Sequence, residues 1–549
     1  MRTKTAIELA VLCLIGLVLY TSAFWSRDLW NPDEPRYAEV GRQIVASGDW
    51  LVMHLNGELY PDKPPFYFWS EAVCMKLFGI RNLSARIPAA LSGIGGLVVC
   101  YLIARFLGIA PFLSSLILGT SLEYVSIANR VSLDMMFTFL ILLAFYLYLL
   151  STERAKLRWL YLAGAGVAAG IAILTKGPAA ILWLAIIIVP YLVWRRRWWE
   201  IFHAKWLLVL GLAAAIALAW FVPVVQREGQ RYTDAVKKHT SGRLSESWSH
   251  RQGPHYYFVI FPLFFLPWFP YLPQALAAAW RRRQEMLFQC VLWFACGFVV
   301  WTLISSKREM YILPLYPAAA MAVAAYLTER QSRAGLVAPA VFGLVGLGCI
   351  AAALITWGGA WGAIGLDRVQ NALAEYPGAI APALAFGASL LVAGIAGIVL
   401  WRRFPVAVPA GLVLVLTLSA SLTVLPYLDR YKSPRALAEF LKSQGATEDK
   451  IIWFREFEPG VSFYGGFGRL RCEPEKSEEQ DNAVTKESKE DRLRKKRELA
   501  REMVRKHRGA WILTKRANVD ELADVFEDCS HVYSFRVGAD VFAVVKTPD

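Results

Sequence analysis

Charge is scarce in this chain. Of 549 residues, 19% are Asp, Glu, Lys or Arg, while 56% are hydrophobic and 13% aromatic. That balance excludes an ordinary soluble domain, where roughly a quarter of residues are charged. The eight cysteines form no CxxC pair and no zinc-type spacing, which argues against a metal knuckle or a dithiol motif. No Walker loop and no Rossmann glycine fingerprint occurs, so nothing points to a nucleotide substrate. No RNA- or DNA-binding motif occurs either. The net charge of +15 is therefore assigned to anionic lipid headgroups rather than nucleic acid. No internal repeat and no inverted pair of interrupted helices of the transporter kind is visible.

What the chain has is long uncharged runs. A bilayer core takes about 20 apolar residues per helix. Runs of that kind lie near 6–25, 84–105, 110–128, 132–150, 159–175, 178–194, 206–226, 256–279, 287–304, 311–328, 335–357, 380–400 and 407–427. They predict an all-α polytopic membrane protein with about thirteen spans. The first run follows a short basic start, has no small-residue cleavage pattern at its end, and is read as an uncleaved span. Alternate connections carry "ARF", "STERAKLR", "WRRRWWEIFHAK", "RRRQE", "ERQSR" and "WRRF". These basic loops share one phase, so the N-terminus is expected in the cytoplasm. An odd span count then puts the C-terminus outside.

From about Leu428 the composition changes. "KIIWFREF" and "GAWILTKR" read as strands, the charged run ending at Gly509 as a helix, "NVDELADVFEDC" as a capped helix and "HVYSFRVGADVFAVVK" as a hairpin. The expected organisation is a transmembrane domain over 1–427 and a soluble extracytoplasmic α/β domain over 428–549. Six cysteines lie in or near apolar runs and read as small hydrophobes. Cys472 and Cys529 lie in the polar region, where a disulfide is one alternative.

Residues 26–83 form the first outer loop. "PRYAEVGRQIVASG" and "PPFYFWSEAVCMKLFG" are amphipathic and aromatic-rich, and are expected to lie as interfacial helices. Between them "NGELYPDKPP" forms a turn carrying Lys63. The other unusual polar residues fall on the same face. "NRVSLD" puts Arg130 and Asp134 at the edge of an apolar run, where a carboxylate costs about 2.5–3.5 kcal/mol. "LTKGP" supplies Lys176. The loop after residue 226 supplies Arg243, His250, Arg251 and His255, and "SSKREMYILPLYP" supplies Lys307, Arg308 and Tyr311. The dull readings are span-end cations reaching for headgroups, Glu34 favouring the positive end of a helix, and structural pairs of Asp33 with Arg36 and of Asp134 with Arg130.

Together these residues suit a polyprenyl-phosphate-linked sugar, with its tail in lipid and its phosphate at headgroup depth. Lys63, Arg251, Lys307, Arg308 and Tyr311 are candidates for the phosphate, where a cation stabilises the charge that grows as the glycosidic bond breaks. A carboxylate stabilises the oxocarbenium-like sugar or takes a proton from an attacking hydroxyl. Asp33 is the candidate for that role, with Asp134 and Glu34 as further acids, and Arg36 and Lys176 as further substrate-binding cations. These three carboxylates also offer oxygen ligands to Mg²⁺ or Mn²⁺. Lys63 would compete with such an ion, and no cofactor is required by the residues alone.

The stretch "NPDEPRYAEVGRQIVASGDWLVMHLNGELYPDKPPFYFWSEAVCMKLFGIRNLSARIPAAL" resembles the first outer loop of the GT-C membrane glycosyltransferases, the dolichyl-phosphate-mannose–protein mannosyltransferase superfamily. "DEPRYAEV", "KPPFYFW" and "ARIPAAL" in this order carry the likeness, most closely to the bacterial branch that moves aminoarabinose to lipid A. "NRVSLD", "LTKGP", "HRQGPHYYF" and "SSKREMYILPLYP" resemble that branch too. The resemblance implies a GT-C fold. It puts the family's first acid at Asp33, its second-loop acid at Asp134 and its phosphate-contacting lysine at Lys63. Its arginine falls on Arg251 and its tyrosine on Tyr311. It implies an inverting transferase of the bacterial inner membrane, with the active site and C-terminal domain in the periplasm. The implied donor is undecaprenyl-phosphate-linked 4-amino-4-deoxy-L-arabinose or a relative, and the implied acceptor is lipid A. Transfer to a protein or another glycan is the nearest alternative; an ion-coupled transporter or a membrane-anchored scaffold is more distant.

Overall fold

The structure, a computed structural model, describes residues 2–245, 251–282, 285–329, 333–358, 376–473 and 489–548. The chain divides into two compact units. One comprises residues 1–26 and 61–427, the other residues 27–60 and 428–549.

The first unit is mainly helical among the described residues. By length and composition, eight helices among the described residues are long and apolar enough to cross a membrane, or up to eleven if each bent pair counts as one span. The chain is a multi-pass membrane protein. The expected count of thirteen is not confirmed on this measure, for two reasons. The helices Ala179–Trp194 and Leu287–Leu303 are apolar but shorter than a span requires. Three other expected spans are broken. Pro111–Gly119 and Leu122–Ala128 meet at 66°, Ala407–Leu422 and Val424–Lys432 at 49°, and the run read as 256–279 folds back at 113° between Phe264 and Phe269. Proline in the last break removes a backbone donor where a straight helix needs one.

Close backbone approach holds one helix pair. Val337–Trp357 packs on Ile380–Leu400 through glycines. A methyl group on Gly346 would stand 2.5 Å from the amide nitrogen of Leu391 and 2.6 Å from the carbonyl of Gly387. Small residues let membrane helices gain dispersion contacts that lipid tails do not supply.

The second unit is built on a mixed sheet. Strands β1 (His54–Leu55) and β2 (Glu58–Leu59) form a small hairpin. Its turn is Asn56-Gly57, both at positive φ (55° and 74°), the conformation that a two-residue hairpin turn demands. Five further strands, β3 (Ile451–Phe454), β4 (Arg471–Glu473), β5 (Trp511–Lys515), β6 (Ser530–Val537) and β7 (Asp540–Lys546), form one sheet in the order β4-β3-β5-β7-β6. β3 runs parallel to β4 and β5, while β7 is antiparallel to β5 and β6. Alternation sends Ile451, Trp453, Leu513 and Val544 into one core and Ile452, Phe454, Ile512 and Val545 into the other.

Strands β3, β5, β6 and β7 fall on the segments read as strands and hairpin. β4 was not expected, since three residues carry too little alternation to be seen. The helix expected over "NVDELADVFEDC" is two short pieces, Arg516–Glu521 and Ala523–Phe526. Within the charged run, Lys489–Lys506 is helical; residues 474–488 lie outside the described residues. Cys472 packs against one core and Cys529 against the other, with no disulfide between them. The sheet therefore separates the two, and the disulfide alternative is corrected.

The sequence placed residues 27–60 in the same domain as the spans that follow. The structure groups them instead with the C-terminal segment, and hydrogen bonds explain why. Asn56 donates from its amide to the Leu470 carbonyl (2.8 Å) and accepts from the Leu470 N–H (2.7 Å). Arg42 donates to the Phe467 carbonyl, and the Tyr464 hydroxyl accepts from the Leu29 N–H at 2.8 Å.

Candidate active site

In the first unit the polar residues gather at helix ends. Asp134 opens the helix Leu133–Glu153, where the Ser132 hydroxyl caps the Asp134 N–H. It is 5% exposed and paired with Lys176. Lys176 closes the helix Arg158–Lys176, which stops at Gly177 with φ 76°, a left-handed turn that glycine adopts without strain. The Lys176 ammonium also lies 4.6 Å from the Tyr311 ring centroid and 5.4 Å from that of Phe137. Three residues singled out in the sequence, Asp134, Lys176 and Tyr311, thus form one cluster. Asp134 pairs with Lys176, not with Arg130 as the structural reading had it.

A second cluster joins two other motifs. The backbone of Arg251 bridges to Ser306, and the Gln252 N–H donates to the Ser305 carbonyl at 3.2 Å. Lys307, 3% exposed, donates from its ammonium to the carbonyls of Gln252 (3.1 Å) and Ile304. An ammonium has three donors, so these carbonyls fix the side chain and leave one N–H. Burial lowers the Lys307 pKa from its usual range. The Tyr257 hydroxyl donates to the Arg308 carbonyl at 3.1 Å, and the Tyr256 hydroxyl to Glu309 at 3.4 Å. Lys63 lies 3.9 Å from Asp62, both side chains largely buried. His250 and the Arg243 side chain lie outside the described residues, and His255 is exposed.

Sequence reasoning missed Glu123. It lies on the helix Leu122–Ala128, 1% exposed, and one of its carboxylate oxygens has no hydrogen-bond partner among the described residues. Arg130, Glu309, Asp134 and Arg308 are within its electrostatic reach. The signal was present: a lone acid inside the run 110–128 is as costly as Asp134.

In the second unit, Asp33 stands at the N-cap of the helix Glu34–Ser47, where the helix dipole favours negative charge. Arg36 donates to its carboxylate at 2.5 Å. Glu34 is held differently. Arg27 grips both of its oxygens, and the Trp30 N–H donates to one of them at 3.1 Å. Glu34 is 4% exposed and Arg27 6%, so this is a buried framework pair. Among the described residues, no three His, Cys, Asp or Glu side chains are grouped as a metal site would need.

Residues 62–226 match the family model for dolichyl-phosphate-mannose-protein mannosyltransferase. Two solved structures of ArnT from Cupriavidus metallidurans share the fold. The apo form has a TM-score of 0.75 at 22% identity, covering 100% of this chain and 98% of that one. The form bound to undecaprenyl phosphate has 0.75 at 21%, covering 97% of each. This chain thus shares the fold of these structures, and the family model matches one part of it.

Relatives similar in sequence carry the name undecaprenyl phosphate-alpha-4-amino-4-deoxy-L-arabinose arabinosyl transferase. The protein of that name from Edwardsiella ictaluri (strain 93-146) is 30% identical over 364 residues, 63% of this chain and 65% of the relative. That from Aeromonas salmonicida (strain A449) is 31% identical over 352 residues, 62% of this chain and 64% of the relative. The match thus spans somewhat less than two thirds of the length of these curated relatives.

Proposed function

We propose that this protein is an inverting glycosyltransferase of the bacterial inner membrane, with its N-terminus in the cytoplasm and its reacting groups and C-terminal domain in the periplasm. Its donor is a sugar linked to undecaprenyl phosphate, with 4-amino-4-deoxy-L-arabinose the sugar its relatives' names point to, and its acceptor is lipid A. The observation that carries this reading is the buried Asp134–Lys176–Tyr311 cluster, set in a chain whose relatives are named for that donor. A carboxylate so close to apolar helices is retained at a cost, and a place in the substrate site is a reason to keep it.

The roles in this reading are as follows. Lys307 keeps one donor beyond its two carbonyl partners, and with Lys63, Arg251 and Arg308 it holds the donor phosphate and stabilises the charge released on it. Lys176 is engaged by Asp134 and acts as its positioning partner, with Tyr311 against the same ammonium. Asp33 orients the sugar and stabilises its cationic carbon. A lipid A phosphate is already ionised, so an acceptor of that kind needs no base. Glu34 stays in its pair with Arg27 and shapes the segment around Asp33.

The test is transfer by purified protein in lipid nanodiscs, supplied with undecaprenyl-phosphate-aminoarabinose and lipid A and followed by mass spectrometry. The reading expects lipid A carrying one added aminopentose. Transfer only to a protein or another glycan would move the assignment to the alternative within the superfamily.

A further inference from the structure

The segment leading to Asp33 is tied at each of four residues to the C-terminal part of its own unit. Asp28 accepts from the Ser433 hydroxyl (2.7 Å) and pairs with Arg435 (2.7 Å). The Leu29 N–H donates to the Tyr464 hydroxyl (2.8 Å). The Trp30 indole donates to Asp429 (2.7 Å). The Asn31 amide donates to Glu458 (2.5 Å).

The last tether is the closest to Asp33, two residues away. Its acceptor is itself fixed, because the other Glu458 oxygen accepts from the Gly460 N–H at 3.1 Å and caps the helix Pro459–Gly465. That helix also carries Tyr464. Glu458 is 5% exposed, so its hydrogen bonds form away from water, where an unmet partner is expensive. One short helix thus holds the approach to Asp33 at two points, over a sequence separation of more than four hundred residues.

We propose that Glu458 is a positioning residue for the transfer reaction, setting the placement of the Asp33 carboxylate through its hydrogen bond to Asn31. The C-terminal segment is on this account part of the catalytic framework. The proposal rests on the reading of Asp33 as the sugar-facing acid. A misplacement of about 1 Å in a reacting group costs on the order of 10²-fold in rate, which sets the expected effect.

The experiment uses the full chain in nanodiscs and compares Glu458→Ala, Asn31→Ala and the double variant. Each single variant is expected to lower kcat about 10²-fold, with the KM for the donor within about twofold. The double variant is expected to be no worse than the worse single one, because both remove the same link. Hydrogen exchange supplies a readout independent of turnover. The amides of Leu29–Tyr37 should exchange at least about tenfold faster in Glu458→Ala, while those of β3, β5 and β7 stay protected. Unchanged exchange over Leu29–Tyr37, or a folded Glu458→Ala variant with wild-type kcat, overturns the proposal. Multiplying rather than matching losses in the double variant overturn it too. If wild-type protein transfers no sugar while the exchange effect appears, the proposed reaction fails and the tether stands as a structural device alone.

Discussion

The two units bury acids in opposite ways. In the second, the buried carboxylates all have donors: Glu34 has Arg27, Glu39 has Arg42, Asp28 has Arg435, and Glu458 has Asn31 and the Gly460 N–H. In the first, three acids are buried among the described residues: Glu71, Glu123 and Asp134. Asp134 alone of these has an ion pair among the described residues, while both oxygens of Glu71 and one of Glu123 lack hydrogen-bond partners. Paired buried charges commonly serve architecture, and one partner removed leaves a costly orphan. Acids retained inside a membrane bundle commonly serve function. The contrast sets buried acids that are met by donors against buried acids that are not fully met.

On the proposed function, the largest effect should come from Asp134. Asp134→Asn is expected to reduce transfer by about 10³-fold or more while the protein still inserts and elutes as wild type; turnover in nanodiscs checks it. Next comes the framework. Arg27→Ala strands Glu34, and is expected to cost about 3–5 kcal/mol, read as lost thermal stability of the second unit by exchange or melting. A smaller effect separates the units directly. Glu39→Gln weakens the pair with Arg42 and should cost about 1.5–3 kcal/mol, whereas Glu71→Gln, which breaks no ion pair, should stay within about 1 kcal/mol. Equal losses from these two substitutions would erase the contrast.

The smallest effect is one of pH. Burial, the largest influence, pushes the Glu458 carboxyl up to about 7, against an ordinary value of 4.5. The unfolded chain releases this proton near 4.5 and the folded chain near 7. The stability it contributes is therefore complete below 4.5 and is lost as pH rises through 7. The second unit should melt at a lower temperature at pH 8 than at pH 5.5, and Glu458→Gln should flatten that slope. A steeper slope in the variant would contradict the assignment.

Much of this arrangement is legible in the chain, because the bilayer writes strongly. A lone acid at the edge of an apolar run marks Asp134, and "LTKGP" marks its partner Lys176, since a lysine before a glycine ends a helix with its charge free to reach sideways. Alternating residues mark the two cores of the sheet. What was hidden depends on contacts between distant segments. Nothing local in "DLWNPDEPRY" says that Asp28, Leu29, Trp30 and Asn31 are met by residues 429–464, so the loop was read with the helices around it. The break in 256–279 was masked because both halves are equally apolar, and hydropathy records composition rather than direction. Glu123 was overlooked although the same argument that found Asp134 applied to it.

The measurement that bears most directly on the account is the fate of the sugar in a defined mixture. Purified protein in nanodiscs, given undecaprenyl-phosphate-aminoarabinose and lipid A, should yield lipid A with one more aminopentose per turnover and release undecaprenyl phosphate in equal amount, with Asp134→Asn yielding neither. An unmodified donor and acceptor in the presence of folded wild-type protein, or equal product from the Asp134→Asn variant, would contradict it.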